Sequence, residues 1–399
     1  MLFWIFVFFL TRQSGLTQGH PDLLSRAATE ASCDCTVNSC RTLFDIIWGC
    51  LATIFACTWV ALHQNVPDPD LGHFSLLMRK LRMMLATIIA PEFVVAFAAR
   101  QFASAREISK GKVPYHFSKT HRFFCTMGGF VFNRKTTSCY ILAIQKIKKA
   151  DIEDKSKRDT LSKGVAIAQG LWFVTHCLAH TFQHLPLTEL EVATLAFAVL
   201  SVIISLLWLH KPLDVQQHIV VVRSEVDIDP LQEEEITPMH NGSRTFPEKM
   251  GEVLFDTSPK YSLLSSTSVP SLYSINIEPK NTKMIVYLAG VFGVGSIFGS
   301  IHCPAWNALF PSMAEMWIWR ISSVFIAAWP LLATLSTVAN VWIPYNDTAE
   351  AAWEIFTVFG YVVYPLCRLF LIILSFTTLR SLPPSAFMDI NWSNYIPHL

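Results

Sequence analysis

Charged side chains are scarce in this sequence. They make up 15% of its 399 residues, against about 25% in a typical soluble domain. The net charge is only +1, and a chain without a basic excess is not expected to bind nucleic acid. The charge is also unevenly spread, because 15 of the 31 Lys and Arg fall between Arg100 and Lys163. Such segregation is typical of a membrane protein rather than a soluble enzyme.

Recognisable catalytic signatures are also lacking. The sequence has no DDxxD motif, nucleophile elbow, HExxH motif or dinucleotide fingerprint. The cluster nearest to a DDxxD motif, Asp151-Ile-Glu153-Asp154, stands among lysines and indicates a solvated face. The glycine-rich run GVFGVGSIFGSIHC lacks the GK[ST] ending of a phosphate loop, and its Gly295-x-x-x-Gly299 spacing predicts a helix-packing face. We therefore predict no catalytic residue, metal or cofactor.

Long apolar segments are the dominant feature of the chain. A helix crosses the hydrocarbon core with about 20 residues, and helices satisfy every backbone hydrogen bond internally. The sequence thus predicts an all-α fold, a polytopic helical membrane bundle with six or seven transmembrane helices. The six clear spans are Leu43–His63, Gly164–His184, Leu190–Leu209, Met284–Cys303, Trp317–Ile343 and Ala351–Phe376.

The N-terminal region predicts entry into the secretory pathway, to the endoplasmic reticulum or plasma membrane. The apolar run MLFWIFVFFL is too short to span, and residues 1–19 are typical of a signal peptide, with a short signal anchor as the alternative. Residues 20–42 then form a luminal tail, in which Cys33, Cys35 and Cys40 favour a disulfide, with Cys303 as a further partner. The CDC spacing is too short for a usual zinc site.

One apolar segment, Met83–Ala99, has basic residues at both ends. A full crossing would place the basic segment 100–163 in the lumen, against the positive-inside rule. Pro91 and Glu92 lie in its middle, where a proline interrupts a helix and an ionised Glu is costly. We therefore favour a re-entrant or interfacial segment and six spans. The alternative is a seventh span with a proline kink and Glu92 facing the bundle.

This topology assigns each remaining region to one side of the membrane. The first membrane region (43–209) contains the cytoplasmic segment 100–163, which is expected to contact anionic headgroups. An acidic, Ser-rich and partly disordered cytoplasmic loop (210–283) precedes the second membrane region (284–376) and a luminal tail (377–399). Of the three Asn-x-Ser/Thr sequons, only Asn391 is then luminal and open to glycosylation.

Ionisable residues within spans are the functional candidates. We predict an intramembrane polar site formed by Asp45, Glu92, His176, His180 and Arg368. His176, His180 and His184 share one helical face at spacings of four. Two such His side chains can bind a metal, but no acidic third ligand is adjacent in sequence, so we favour a polar packing face. Arg368 requires a carboxylate partner, for which Glu92 and Asp45 are the candidates.

Several stretches carry a family resemblance. They include RTLFDIIWGCLATIFACTWVALHQNVP (41–67), APEFVVAFAARQF (90–102), LPLTELEVATLAFA (185–198), LHKPLDV (209–215) and LRSLPPSAFMDINWSNYIPHL (379–399). With these stretches the chain resembles a large family of uncharacterised fungal multipass membrane proteins. The resemblance implies no activity. It also implies Gln and Arg at positions 176 and 180 in many relatives, so a histidine-based mechanism would not be general.

The functional expectation is accordingly broad. A set of buried ionisable residues without a catalytic motif favours a multipass membrane protein that binds or transports a small solute, ion or lipophilic metabolite, with the lipid bilayer as its partner and the substrate unknown. The alternative is a membrane-embedded enzyme that acts on an isoprenoid or polyketide-like substrate and uses Glu92, Asp45 or His176 as acid or base.

Overall fold

The computed structural model describes residues 40–68, 70–108, 117–132, 147–156, 159–221, 281–342 and 347–390. The first half of these residues forms mainly helices, whose bounds are α1 Leu43–Phe55, a π-helical turn Ala56–Val60, α2 His73–Ile89, α3 Pro91–Glu107, α4 Lys119–Thr126, α5 Lys149–Asp154, α6 Asp159–Phe182 and α7 Glu189–Leu207. The second half comprises α8 Asn281–Ser300, α9 Met313–Trp342 and α10 Asp347–Thr377, with short 3₁₀ turns at Cys303–Asn307, Thr378–Ser381 and Pro384–Phe387.

Each of the six predicted spans is helical in the structure. Four helical segments among the described residues are long and apolar enough to cross a membrane: Leu43–Val60, Glu189–Leu207, Met313–Ser336 and Val358–Ser381. Large apolar side chains on these helices are exposed, as Phe44 (70%) and Ile373 (54%) illustrate. Contiguous exposed apolar surface of this kind indicates contact with lipid or another apolar partner.

The segment Met83–Ala99, which has basic residues at both ends, is not one continuous helix. Helices α2 and α3 meet at Ala90 and are bent by 111°. Pro91 is the first residue of α3, where its missing N–H costs nothing and its fixed φ suits a helix start. A bend of this size exceeds that of a proline kink within one helix, and it is the geometry of a broken span or a re-entrant loop. If the pair is counted as one span, it is the fifth.

The described chain divides into two compact units. Unit 1 comprises Met1–Cys57, Ala166–Val202 and Asn281–Leu399, and unit 2 comprises Thr58–Val165 and Ile203–Lys280. The core of unit 1 is formed by residues of α7, α9 and α10, including Trp319, Ile326 and Leu371.

Unit 2 contains a feature that the all-α prediction omits. Strands β1 (Phe130–Phe132) and β2 (Ile219–Val221) pair in parallel and form a two-stranded sheet. The core of this unit packs Phe124, Met127 and Ile152 against the sheet region. The strands are only three residues long, so a period-two pattern has too few positions to be recognised in the sequence.

In unit 1, helices α8 and α9 approach each other closely at Gly299. A Cβ atom built on Gly299 would lie 2.4 Å from the backbone nitrogen of Ala327. Only a glycine permits this backbone approach, as in the small-residue packing of membrane helices. By contrast, a Cβ on Gly293 of the same helix meets no atom within 4 Å. The packing role predicted for the glycine-rich run is thus located at Gly299.

Candidate functional site

Two histidines on α6 of unit 1 form the starting point of the site. His176 and His180 are one helical turn apart, and their ring centroids are separated by 4.7 Å. His180 is fully buried, whereas His176 is half-buried. Neither ring nitrogen of His180 has a hydrogen-bond partner among the described residues. A buried, unsatisfied polar group is costly and requires an explanation such as an ion.

A glutamate from the next helix lies beside these rings. Glu191 is in the first turn of α7 and is buried, with 2% of its surface exposed. It forms a capping box with Thr188: the Thr188 backbone N–H donates to Glu191 Oε2 at 2.9 Å, and the Glu191 N–H donates to Thr188 Oγ1 at 3.2 Å. This local pattern fixes the start of α7 and the direction of the carboxylate.

The carboxylate of Glu191 is also paired with a cation. Arg41 is 8% exposed, and its Nη1 and Nη2 donate to the two carboxylate oxygens of Glu191. The Arg41 Nε donates to the carbonyl of Ala386 at 2.8 Å, and its backbone N–H donates to Phe387 O at 2.9 Å. Arg41 thereby joins the start of α1, α7 and the C-terminal segment of unit 1. Bidentate pairs of this kind give fixed geometry as well as energy.

Together, His176, His180 and Glu191 have the composition of a metal site. One ligand atom from each residue lies within 4.8 Å of the other two. Tetrahedral zinc sites bring nitrogen and oxygen ligands to about 2.0–2.2 Å from the ion, so side-chain rotations must draw the three atoms closer. The hydrogen bonds that Thr188 donates to Glu191 are the outer-shell support that a ligating carboxylate needs. The acidic third ligand that the sequence pattern lacks is supplied by tertiary structure.

Other predicted residues are not part of this cluster. His184 is exposed and lies beyond the end of α6 with φ 55°, so it caps the helix. Asp45 is exposed, and its carboxylate accepts hydrogen bonds from the Thr42 N–H and hydroxyl at 2.8 and 2.6 Å. It therefore starts α1 as the acidic member of a capping box. This placement differs from the buried polar role expected for Asp45.

Glu92 and Arg368 belong to different units. Glu92, in unit 2, is 7% exposed and lies in the first turn of α3, where a carboxylate is favoured by the helix dipole. Arg368, in unit 1, is 2% exposed. Its guanidinium lies 3.5 Å from the ring centroid of Phe298 and donates to Tyr364 Oη at 3.0 Å. Aromatic contacts thus contribute to holding Arg368, which sequence reasoning did not anticipate.

A second polar cluster, in unit 2, is absent from the sequence prediction. Lys211 is fully buried and makes no ion pair among the described residues. Its Nζ donates to His63 O and, at 2.7 Å, to Gln101 Oε1, and it lies 4.4 Å from the ring centroid of Trp208. Burial lowers the pKa of the Lys211 amine well below its usual range, and the charge of Lys163 adds to the effect.

The structure describes two of the four cysteines that the sequence predicts as disulfide partners. Cys40 is disulfide-bonded, while Cys303 is a free thiol and not a disulfide partner. Cys33, Cys35 and Asn391 lie outside the described residues, as do the signal-peptide residues 1–19.

Comparison with known proteins identifies a family whose function is unknown. Residues 5–122 and 112–234 match DUF8562, a family of unknown function. No curated protein and no solved structure matches the chain.

Proposed function

The chain belongs to DUF8562, a family of unknown function, and from the geometry of its histidine cluster we propose that it binds a divalent transition-metal ion within a multipass helical membrane fold. The observation that carries this proposal is His180, whose two ring nitrogens are buried without hydrogen bonds beside a second histidine and a carboxylate. Imidazole and carboxylate ligands suit zinc, iron and similar ions. The proposal applies to chains that keep both histidines.

Enclosure of the cluster favours ion binding over catalysis. His180 has 0% and Glu191 2% of its surface exposed, and only His176 reaches partial exposure. Three protein ligands leave one position of a tetrahedral ion open, as in zinc enzymes, but a lipophilic substrate would need a cavity at that position. Ion binding therefore ranks above the alternative of an enzyme that acts on a lipophilic metabolite.

The metal is tested on the full chain purified in lipid nanodiscs, stripped with a chelator and reloaded with Zn²⁺ or Co²⁺. We expect one ion per chain by elemental analysis, and a Co²⁺ absorption spectrum typical of nitrogen and oxygen ligands. His180→Ala should weaken binding at least about 100-fold, since even outer-shell changes cost 10–100-fold. His184→Ala, an exposed change just beyond the end of the same helix, is the control and should bind normally. Equal metal content in wild type and His180→Ala would refute the proposal.

We propose a six-span topology with a luminal C-terminus, in the endoplasmic reticulum or plasma membrane, for the same chain. The 111° break between α2 and α3 supports a re-entrant segment that leaves its basic flanks, including segment 100–163, at the cytoplasmic face near anionic headgroups. A signal peptide and glycosylation at Asn391 complete this topology. Cysteine-accessibility labelling of single sites at 100–163 and 377–399 tests it, because opposite sidedness is required.

A further inference from the structure

A groove on α9 of unit 1 combines an apolar wall with one fixed cation. Its volume is about 420 Å³, which is in the range of small-molecule sites. Val324, Phe325, Trp329 and Leu332 form much of the wall, and Arg320 is the charged residue that lines it. The groove lies on a helix that is apolar enough to cross a membrane.

Arg320 is held at one end of this groove by its neighbours. Its Nε and Nη2 donate to the backbone carbonyl of Trp306 at 3.0 and 2.8 Å. Its guanidinium carbon lies 5.0 Å from the ring centroid of Trp306 and 5.6 Å from that of Trp317. Among the residues that the structure describes, Arg320 makes no ion pair. The guanidinium is thus preorganised, and it keeps further N–H donors for an anion.

The dimensions of the groove match one leaflet of a bilayer. Leu332 lies twelve positions after Arg320, which is about 18 Å along a helix. Half of the hydrocarbon core measures about 15 Å. Trp317, 52% exposed, lies at the same end as Arg320, and tryptophans are enriched at the membrane interface. The cation therefore lies at the headgroup end, and the apolar wall extends toward the bilayer centre.

We propose that this groove binds one anionic phospholipid, with its phosphate at Arg320 and one acyl chain along Val324 and Leu332. Charge complementarity selects an anionic headgroup, because a phosphate matches in bidentate geometry a guanidinium that has no carboxylate partner among the described residues, whereas the choline of a zwitterionic headgroup would add a second cation beside it. The exposed apolar side chains of α9 select the acyl chain. This site is separate from the histidine cluster and does not depend on bound metal.

Native mass spectrometry of the full chain released from nanodiscs tests the proposal. The nanodiscs contain phosphatidylcholine with a minority of phosphatidylserine, and the retained lipids are identified by mass. We expect wild type to retain one phosphatidylserine, and Arg320→Gln to reduce that retention at least tenfold. Val324→Trp, which fills the groove while leaving Arg320 in place, should also lose the lipid.

Arg380→Gln serves as the matched control, because Arg380 is an exposed arginine of the same unit that is paired with Glu315. It should retain the lipid. Equal retention by Arg320→Gln and wild type, or equal retention of phosphatidylcholine and phosphatidylserine, overturns the proposal. A wild-type chain without retained phospholipid, as expected if its own residues 1–10 or a second copy fill the groove, overturns it as well. Circular dichroism of each variant verifies that the fold is kept.

Discussion

Replacing Arg41 by Gln should destabilise unit 1 strongly. The change removes the cation from Glu191, a carboxylate with 2% exposure, and breaking a buried pair by removing one partner costs about 3–5 kcal/mol. Loss of the Nε hydrogen bond to Ala386 O adds about 1 kcal/mol. We therefore expect the free energy of unfolding to fall by about 4 kcal/mol or more.

The assay for Arg41→Gln is denaturant unfolding of the chain in mixed micelles, read by intrinsic fluorescence. A double-mutant cycle with Glu191→Gln isolates the pair, and the double variant should cost less than the sum of the single changes because no unpaired charge remains. Arg380→Gln is the control, since the Arg380–Glu315 pair has a 60% exposed arginine side chain and should contribute about 1 kcal/mol or less. If Arg41→Gln costs as little as Arg380→Gln, Glu191 is solvated and the reasoning fails.

Three further predictions address other parts of the molecule. Gly299→Ala should impair folding, because its Cβ would overlap the Ala327 backbone, whereas Gly293→Ala should be tolerated; equal thermal stability of the two variants would contradict the close helix contact. Lys211 has a lowered pKa in the folded state, so the unfolded state binds more protons and stability should rise with pH up to about 10.4, the pKa of a free lysine. Lys211→Met should abolish this rise in the free energy of unfolding with pH. A rise that the substitution leaves unchanged would contradict the lowered pKa of Lys211. The proposed topology predicts a glycan on Asn391, so Asn391→Gln should abolish the mobility shift that glycosidase treatment causes on gels, and a shift that persists would disprove the luminal C-terminus.

The proposed metal site and the Arg41–Glu191 ion pair share the carboxylate of Glu191. Arg41 neutralises Glu191, so a divalent ion bound at the proposed site would lie close to the positive charge of Arg41. Arg41→Gln should therefore raise Zn²⁺ affinity even as it lowers stability, and added Zn²⁺ should protect this variant more than wild type. Thermal melts with and without Zn²⁺ measure the difference.

Hydropathy and length were sufficient to predict the helical class of the chain. All six predicted spans are helices, because a long apolar run has few ways to satisfy its backbone other than a helix. The helix break at Pro91 could also be predicted, since proline fixes φ and ends the preceding helix locally. Strands β1 and β2 could not be predicted from the sequence, because their pairing joins residues about 90 positions apart.

Side-chain partners were decided by tertiary structure alone. The i, i+4 spacing placed His176 and His180 on one face, but only the packing of α7 against α6 brought Glu191 to them. The Thr188-x-x-Glu191 pattern signals a helix start in the sequence, and it could have marked Glu191 as a fixed carboxylate. Nothing in the local sequence indicates that Arg41, 150 residues away, would be its partner.

The sequence by itself thus determined where the chain is apolar, where it is helical and where a helix must break, since these depend on local composition and backbone geometry. Only the tertiary structure decided that Asp45 is an exposed cap, that Lys211 is buried among neutral oxygens and aromatic rings, and that His180 faces a carboxylate. Burial and pairing depend on contacts between distant segments, and the free energy of each charged group depends on those contacts more than on its neighbours in sequence.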